Sequence, residues 1–148
     1  MEIITNKGQL ELVFIRLDPG EKVLENIKKV IKERNIKSGV IVSGIGGLSV
    51  CRIHSMIAGD PPNLLRRYKK YYEIMGPIEL SSMQGIIADQ RPHLHVTVSN
   101  GKEILIGHME ESCIVFSFAE IVILKTDEDN IIRRMNYPEK IEQLTNFK

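Results

Sequence analysis

The sequence predicts an α+β fold: mostly antiparallel β-sheet with one main amphipathic helix. Three observations lead there. Helical periodicity occurs once, at about residues 21–34. Most of the remaining chain is alternating or β-branched apolar runs. Short turn signals, not further helices, separate those runs, which is the pattern of hairpins and not of βαβ winding.

The first run, Gln9–Leu17 (QLELVFIRL), alternates well and reads as a strand with both faces partly covered. Asp18-Pro19-Gly20-Glu21 then reads as a helix start: Asp18 as N-cap, Pro19 in the first turn, Glu21 three residues after the cap. Val23, Leu24, Ile27, Val30 and Ile31 follow at helical spacing, with Lys28, Lys29, Lys32, Glu33 and Arg34 on the opposite face and Asn35 as the stop. Gly39–Ile45 and Leu48–Ile57 read as strands separated by a glycine cluster, and Ala58–Leu64 as a loop. Tyr71–Met75 and Ile78–Ala88 follow as strands broken at Gly76-Pro77; then His93–Ser99, Glu103–Met109 and Cys113–Lys125. Ile131–Tyr137 adds an edge strand, and the polar tail 138–148 is expected as a short helix or frayed.

With 148 residues, 43% hydrophobic and 26% charged, the chain suits one soluble domain over 1–148. A formal net charge of +1 gives no global basic field for nucleic acid. No apolar run reaches membrane-spanning length and no signal-peptide pattern opens the sequence, so the expectation is a cytoplasmic protein. Cys51 and Cys113 are then expected as free, buried thiols. The abundance of Lys, Glu and Ile and the absence of Trp lean toward an AT-rich or heat-loving source, which says nothing of chemistry.

Chemistry concentrates in Arg91–Met109, RPHLHVTVSNGKEILIGHM, which holds three of the four histidines. Asn100-Gly101 between alternating segments signals a hairpin. A two-residue turn there sets His93 directly opposite His108, with His95 on the same face because side chains alternate along a strand. Leu94, Val96, Val98 and Leu105 then project from the other face. Three imidazoles converging from two strands form a candidate facial site for zinc or another divalent ion, completed by water or a small anion. The competing reading is a polar strand face that happens to carry histidines. One extra residue in the turn would send His108 to the opposite face.

Other features carry less. Ser43–Ser49 (SGIGGLS) precedes a strand, not a helix, and has no Lys-Ser/Thr, so a tight turn or close backbone packing explains it better than phosphate binding. Arg66–Tyr72 (RRYKKYY) interleaves cations with tyrosines, making Arg66, Arg67, Lys69 and Lys70 candidate nucleic-acid contacts; solvated cations at a strand start are the commoner outcome. Arg16 and Glu79 are candidates to line a pocket or to pair with each other. His54 has no evident tie to the other three histidines, and Glu110 and Glu111 read as a solvated turn.

Taken in order, several segments resemble the PPC (plants and prokaryotes conserved) domain family. FIRLDPGEKV resembles its Arg-containing first strand leading into the helix, and VSGIGGLSVCRI its Gly-containing turn. GPIELSSMQG is similar to a further family segment, with Ile78 where an aromatic is common and Ser82 where Leu is usual in some members. PHLHVTVSN and GHM resemble its His-x-His and Gly-His-Leu elements, and VFSFAEIVI its closing strand. The resemblance implies an antiparallel α+β fold like that of acetolactate decarboxylase, a homotrimer, the label of DNA-binding protein, and, as in some prokaryotic members, metal at His93, His95 and His108. Plant members carry basic AT-hooks ahead of the domain. None precedes the first strand here, so DNA contact is expected from the domain itself, from a partner, or not at all.

Two functions follow as expectations. One is a DNA-binding, regulatory homotrimer with a three-histidine metal site that stabilises the protein or binds a small-molecule ligand. The other is a metal-dependent enzyme acting on a small anionic or carbonyl substrate. The first is preferred, and a purely structural oligomer remains if neither holds.

Overall fold

The computed structural model describes residues 1–58, 67–136 and 141–147. Its elements run β1 (Leu10–Leu17), α1 (Val23–Glu33), β2 (Ser38–Ala58), β3 (Arg67–Ala88), β4 (Arg91–Ser99), β5 (Ile104–Met109), β6 (Ile114–Thr126), β7 (Ile131–Asn136) and β8 (Ile141–Asn146). The pairings are antiparallel, in the order β1-β6-β2-β3-β4-β5, and β7-β8 forms a separate hairpin. The α+β expectation holds. The loop expected at Ala58–Leu64 falls largely outside the described residues.

The alternation of β1 divides its two faces sharply. Val13, Ile15 and Leu17 turn to the core, whereas Leu10, Leu12, Phe14 and Arg16 are exposed, Phe14 at 74%. In the single chain only one face is covered, against the expectation of two.

The helix starts later than Asp18 suggests. Pro19 and Gly20 form a tight turn: Glu21 donates its N–H to the Asp18 carbonyl at 3.2 Å, and Gly20 takes φ +87°. Pro at the first central position and a positive-φ Gly at the second suit a type II turn, so the same residues that resemble a cap bend the chain instead. Glu21, Lys22 and Val23 then strap onto the start of β6, and Lys22, not Asp18, is the N-cap. The helix ends as expected. Asn35 at φ 49° takes the left-handed position, with Asn35 N–H to Lys32 O and Ile36 N–H to Ile31 O completing a Schellman cap. Val23, Leu24, Ile27 and Ile31 are buried. Each such side chain contributes about 1.5–3 kcal/mol by leaving water.

The glycine cluster does not break β2. Gly46 instead marks a close approach: a Cβ there would lie 2.3 Å from the Phe118 carbonyl oxygen. The strand continues with irregularities between Ile41 and Ser43 and between Gly46 and Val50. Gly76-Pro77 likewise sits inside a continuous β3, as a bulge that pairs Leu48 with Ile78 but Val50 with Met75.

The core joins the buried face of α1 to one face of the sheet: Ile27, Ile31 and Ile36 with Leu48, Ile53, Leu80, Met83, Leu94, Val98, Met109, Ile121 and Ile123. At the far end of β2, Ile53 pairs with Met109 and His54 with His108, so β5 also closes against β2. Within the tail expected as a short helix or frayed, Ile141–Asn146 forms β8, and β7 pairs with it in a separate two-stranded sheet instead of adding an edge to the main one.

Candidate metal centre

The hairpin that carries the histidines is two residues longer at its turn than the sequence suggests. Ser99 pairs with Ile104, leaving Asn100–Glu103 as the loop. Asn100 Oδ1 accepts the N–H groups of Lys102 and Glu103, and Gly101 takes φ +82°. His95, not His93, therefore lies opposite His108, and Gly107 faces Val96. A shift of two residues preserves which face each side chain occupies, so the three imidazoles still share one face.

His93, His95 and His108 each present a ring nitrogen, and the three nitrogens lie within 4.8 Å of one another. The Nε2 atoms of His93 and His95 are 3.2 Å apart. Ring centroids are 5.2 Å apart for His93–His95, 4.8 Å for His93–His108 and 5.6 Å for His95–His108. Modest rotamer adjustment brings such nitrogens to the roughly 2.0–2.1 Å bonds that zinc takes. The donor set fits zinc or a similar borderline divalent ion.

Electrostatics suit that use, because only a neutral imidazole has a free lone pair to give. Burial holds His108 down at about 4, aided by neighbouring His93 and His54 and opposed by Glu110. Burial also lowers His93, reinforced by Arg133, His95 and His54, and lowers His95, reinforced by His54. Unfolded imidazoles titrate near 6.5. Between pH 6.5 and about 4 the unfolded chain therefore binds more protons than the folded one, and stability must rise with pH. Chelator-treated protein should show a urea midpoint that falls from pH 6.5 to 5, with a shallower fall in His108→Asn. An unchanged midpoint over that window would contradict the arrangement.

The structure adds a residue that sequence reasoning left aside. His54 on β2 pairs with His108, their ring centroids 4.6 Å apart. It is buried, flanked by the Tyr71 ring at 5.6 Å, and its Nδ1 hydrogen-bonds to Glu110 Oε1. The carboxylate accepts, which puts the ring hydrogen on Nδ1. His54, His108 and Glu110 form a second group of ligand-type atoms within 4.8 Å. No local signal marks His54, because its neighbour is set by closure of β5 onto β2. Glu110 is thus partnered, and Glu111 pairs with Lys28 at 2.7 Å.

The remaining candidates disperse. Arg16 is exposed and pairs with Asp18 at 3.2 Å. Glu79 is exposed at the Ser99 end of β4, away from His93. Neither lines the two cavities that adjoin the histidines. Lys69 and Lys70 are exposed, with Lys70 Nζ 5.1 Å from the Tyr72 ring centroid. Arg66 and the Arg67 side chain lie outside the described residues. Cys51 and Cys113 are free and buried, their sulfurs 3.9 Å apart, and the hydrogen bond with Cys113, followed by burial, pushes the Cys51 thiol up. No described helix is long and apolar enough to cross a membrane.

With that geometry in hand, the chain can be set beside known proteins. Residues 4–127 match the family model of the Plants and Prokaryotes Conserved (PCC) domain. A plant- and prokaryote-conserved (PPC) protein from Pyrococcus horikoshii is 26% identical, with TM-score 0.78 over 99% of both chains. Protein AF0104 from Archaeoglobus fulgidus, named as metal-containing, is 22% identical, with TM-score 0.78 over 99% of this chain and 100% of that one. A Ralstonia eutropha JMP134 chain bearing a provisional DNA-binding name is 20% identical, with TM-score 0.71 over 89% of both. A Staphylococcus aureus chain named as similar to alpha-acetolactate decarboxylase matches at TM-score 0.55 and 14% identity, over 85% of this chain and 55% of that one, a likeness of fold alone. Among curated proteins, the bifunctional protein GlmU of a Synechococcus strain is 23% identical over 86% of this chain. The chain spans about a fifth of that relative's length, 19%.

Proposed function

The chain belongs to the Plants and Prokaryotes Conserved domain family, and from that premise we propose a DNA-binding, regulatory homotrimer whose three-histidine face holds one divalent ion, zinc foremost. The convergence of His93, His95 and His108 carries the metal assignment. The ion would pin the β4–β5 hairpin by tying its two strands together, and would offer a small ligand an open coordination position. The provisional DNA-binding name of the Ralstonia relative and the exposed Lys69 and Lys70 beside Tyr71 support the DNA assignment.

The exposed apolar face supports assembly. Leu10, Leu12 and Phe14 of β1 and Phe116 and Phe118 of β6 are all exposed, a run of large apolar side chains too extensive to leave in water. Identical copies packing around a closed axis would cover it. In light scattering the protein is expected at three times the chain mass, and Phe14→Glu as a monomer. In electrophoretic shifts, duplex binding should weaken steeply with salt and weaken uniformly in Lys69→Gln/Lys70→Gln. Binding that ignores salt, or none at low salt, would remove the DNA assignment.

A second reading, a metal-dependent enzyme, is favoured by a cavity of about 520 Å³ reaching His93 and His108. A bound ion would there polarise a carbonyl or acidify water. Two variants together separate the readings: His95→Ala should abolish turnover in an enzyme, whereas Lys69→Gln/Lys70→Gln, on the strand stretch paired beside His54, should weaken DNA binding and leave turnover in place.

A further inference from the structure

The cavity beside the histidines is electrically lopsided. It is lined by four cations, Lys28 and Lys32 from α1, Arg91 from β4 and Arg133 from β7, against one acidic residue, Glu142 of β8. Two of the cations are already engaged: Arg91 donates to Glu142 Oε1 at 2.9 Å, and Lys28 to Glu111 Oε1 at 2.7 Å. Lys32 and Arg133 have no ion-pair partner among the described residues. Arg133 is the more telling of the two. Its Nε is buried without a hydrogen-bond partner, a costly state for a guanidinium unless something else supplies the acceptor. It also borders a second cavity, of about 430 Å³, lined by His93 and His95. Arg133 thus borders both cavities that the histidines line, and its charge acts on His93.

The position of Arg133 is built. Arg91, the first residue of β4 after the Asp89-Gln90 turn and two residues before His93, donates from Nη2 to the Arg133 carbonyl at 3.2 Å while its Nη1 holds Glu142. One guanidinium therefore clips both strands of the β7–β8 hairpin against the rim of the histidine face. That hairpin lies beyond residue 127, where the match to the family model ends.

We propose that this cleft binds a small oxyanionic ligand, a phosphate or carboxylate compound, gripped by Arg133 with Lys32 while its remaining end meets the histidine face. The inference deepens the reading above by naming the ligand class for that site. A guanidinium without an ion-pair partner, lining the cleft, matches such an anion's planar or tetrahedral oxygens, and a volume of about 520 Å³ suits a small molecule and not a duplex.

The test is isothermal titration of chelator-treated, full-length protein with inorganic phosphate and, separately, malonate, at constant ionic strength. Saturable binding of either is expected, weakened about tenfold or more in Arg133→Gln and unchanged in the remote Lys102→Gln. Lys32→Gln, at an exposed helix position, is expected to weaken binding several-fold and serves should Arg133→Gln fail to fold. No saturable binding, or equal affinity in wild type and Arg133→Gln, would overturn the proposal. So would full displacement of phosphate by a short duplex, which would make the cleft a seat for nucleic-acid backbone. Metal content and DNA shifts are scored independently, so failure here leaves those readings standing.

Discussion

His95→Ala is expected to strip the protein of stoichiometric zinc while leaving its fold intact. In the hairpin register His95 stands directly across from His108, with His93 beside it on the same strand. Removing it leaves two imidazoles on different strands, too few for a stable facial site. Loss of an outer-shell partner alone costs about 10–100-fold in affinity, so loss of a ligand should cost at least the upper end of that range. The fold should survive because His95 is exposed and packs no core residue. Elemental analysis gives the first measurement: about one zinc per chain in wild type and essentially none in the variant. Melting gives the second. At zinc about a hundredfold above its Kd, wild type gains about 2.7 kcal/mol, whereas the variant gains little. His54→Ala makes the informative contrast. If His54 only orients its neighbour, affinity should fall by about tenfold with the metal still bound. Full retention of zinc by His95→Ala would overturn the His93–His95–His108 site and move the ion to the His54–His108–Glu110 group.

What was legible in the sequence, and what was not, follows from how far each feature depends on distant residues. The helix body is written in local spacing, and its Asn35 stop is a one-residue conformational preference. Its start is not, because Asp-Pro-Gly-Glu serves equally as a cap or a turn, and the strap to β6 through Cys113 and Val115 decides between them. The faces of the histidine hairpin were readable through parity, although the loop holds four residues instead of two. Pairing partners within the hairpin were not, since Asn100 uses its side chain to cap a longer turn. Gly46 and Gly76 look like breaks in sequence. In three dimensions Gly46 is a point of contact and Gly76 part of a bulge, and only the neighbouring strand reveals which. His54 and Arg133 were invisible as site residues for one shared reason. Each reaches the histidines through a long-range placement, β2 against β5 and β7 against β4, that no short-range pattern encodes.

Gly107→Ala is expected to destabilise the protein by about 2–3 kcal/mol, the upper part of the range for forcing extra volume into a packed position. A Cβ at Gly107 would lie 2.6 Å from the His54 carbonyl oxygen and 3.1 Å from both Ile53 Cδ1 and Ser55 Oγ. The first of these is backbone and cannot swing aside. The contact it would wedge open is short, for β2 and β5 pair at Ile53–Met109 and His54–His108, with the Ser55 hydroxyl donating to the Ile106 carbonyl at 3.1 Å beside them. Pushing β5 away therefore threatens the whole closure and with it the packing of His54 on His108. Gly76→Ala is the proper comparison. Its φ of +107° disfavours any side chain, but nothing lies within 4 Å of the added Cβ, so its cost should be strain alone, about 1–2 kcal/mol. Urea unfolding of both variants, with zinc affinity measured on each, reads the two effects apart. Gly107→Ala should lose both stability and metal affinity, and Gly76→Ala stability alone. If Gly107→Ala unfolds within a few tenths of a kcal/mol of wild type, β5 does not close on β2. His54 would then leave the histidine cluster, while the triad carried by the β4–β5 hairpin would stand.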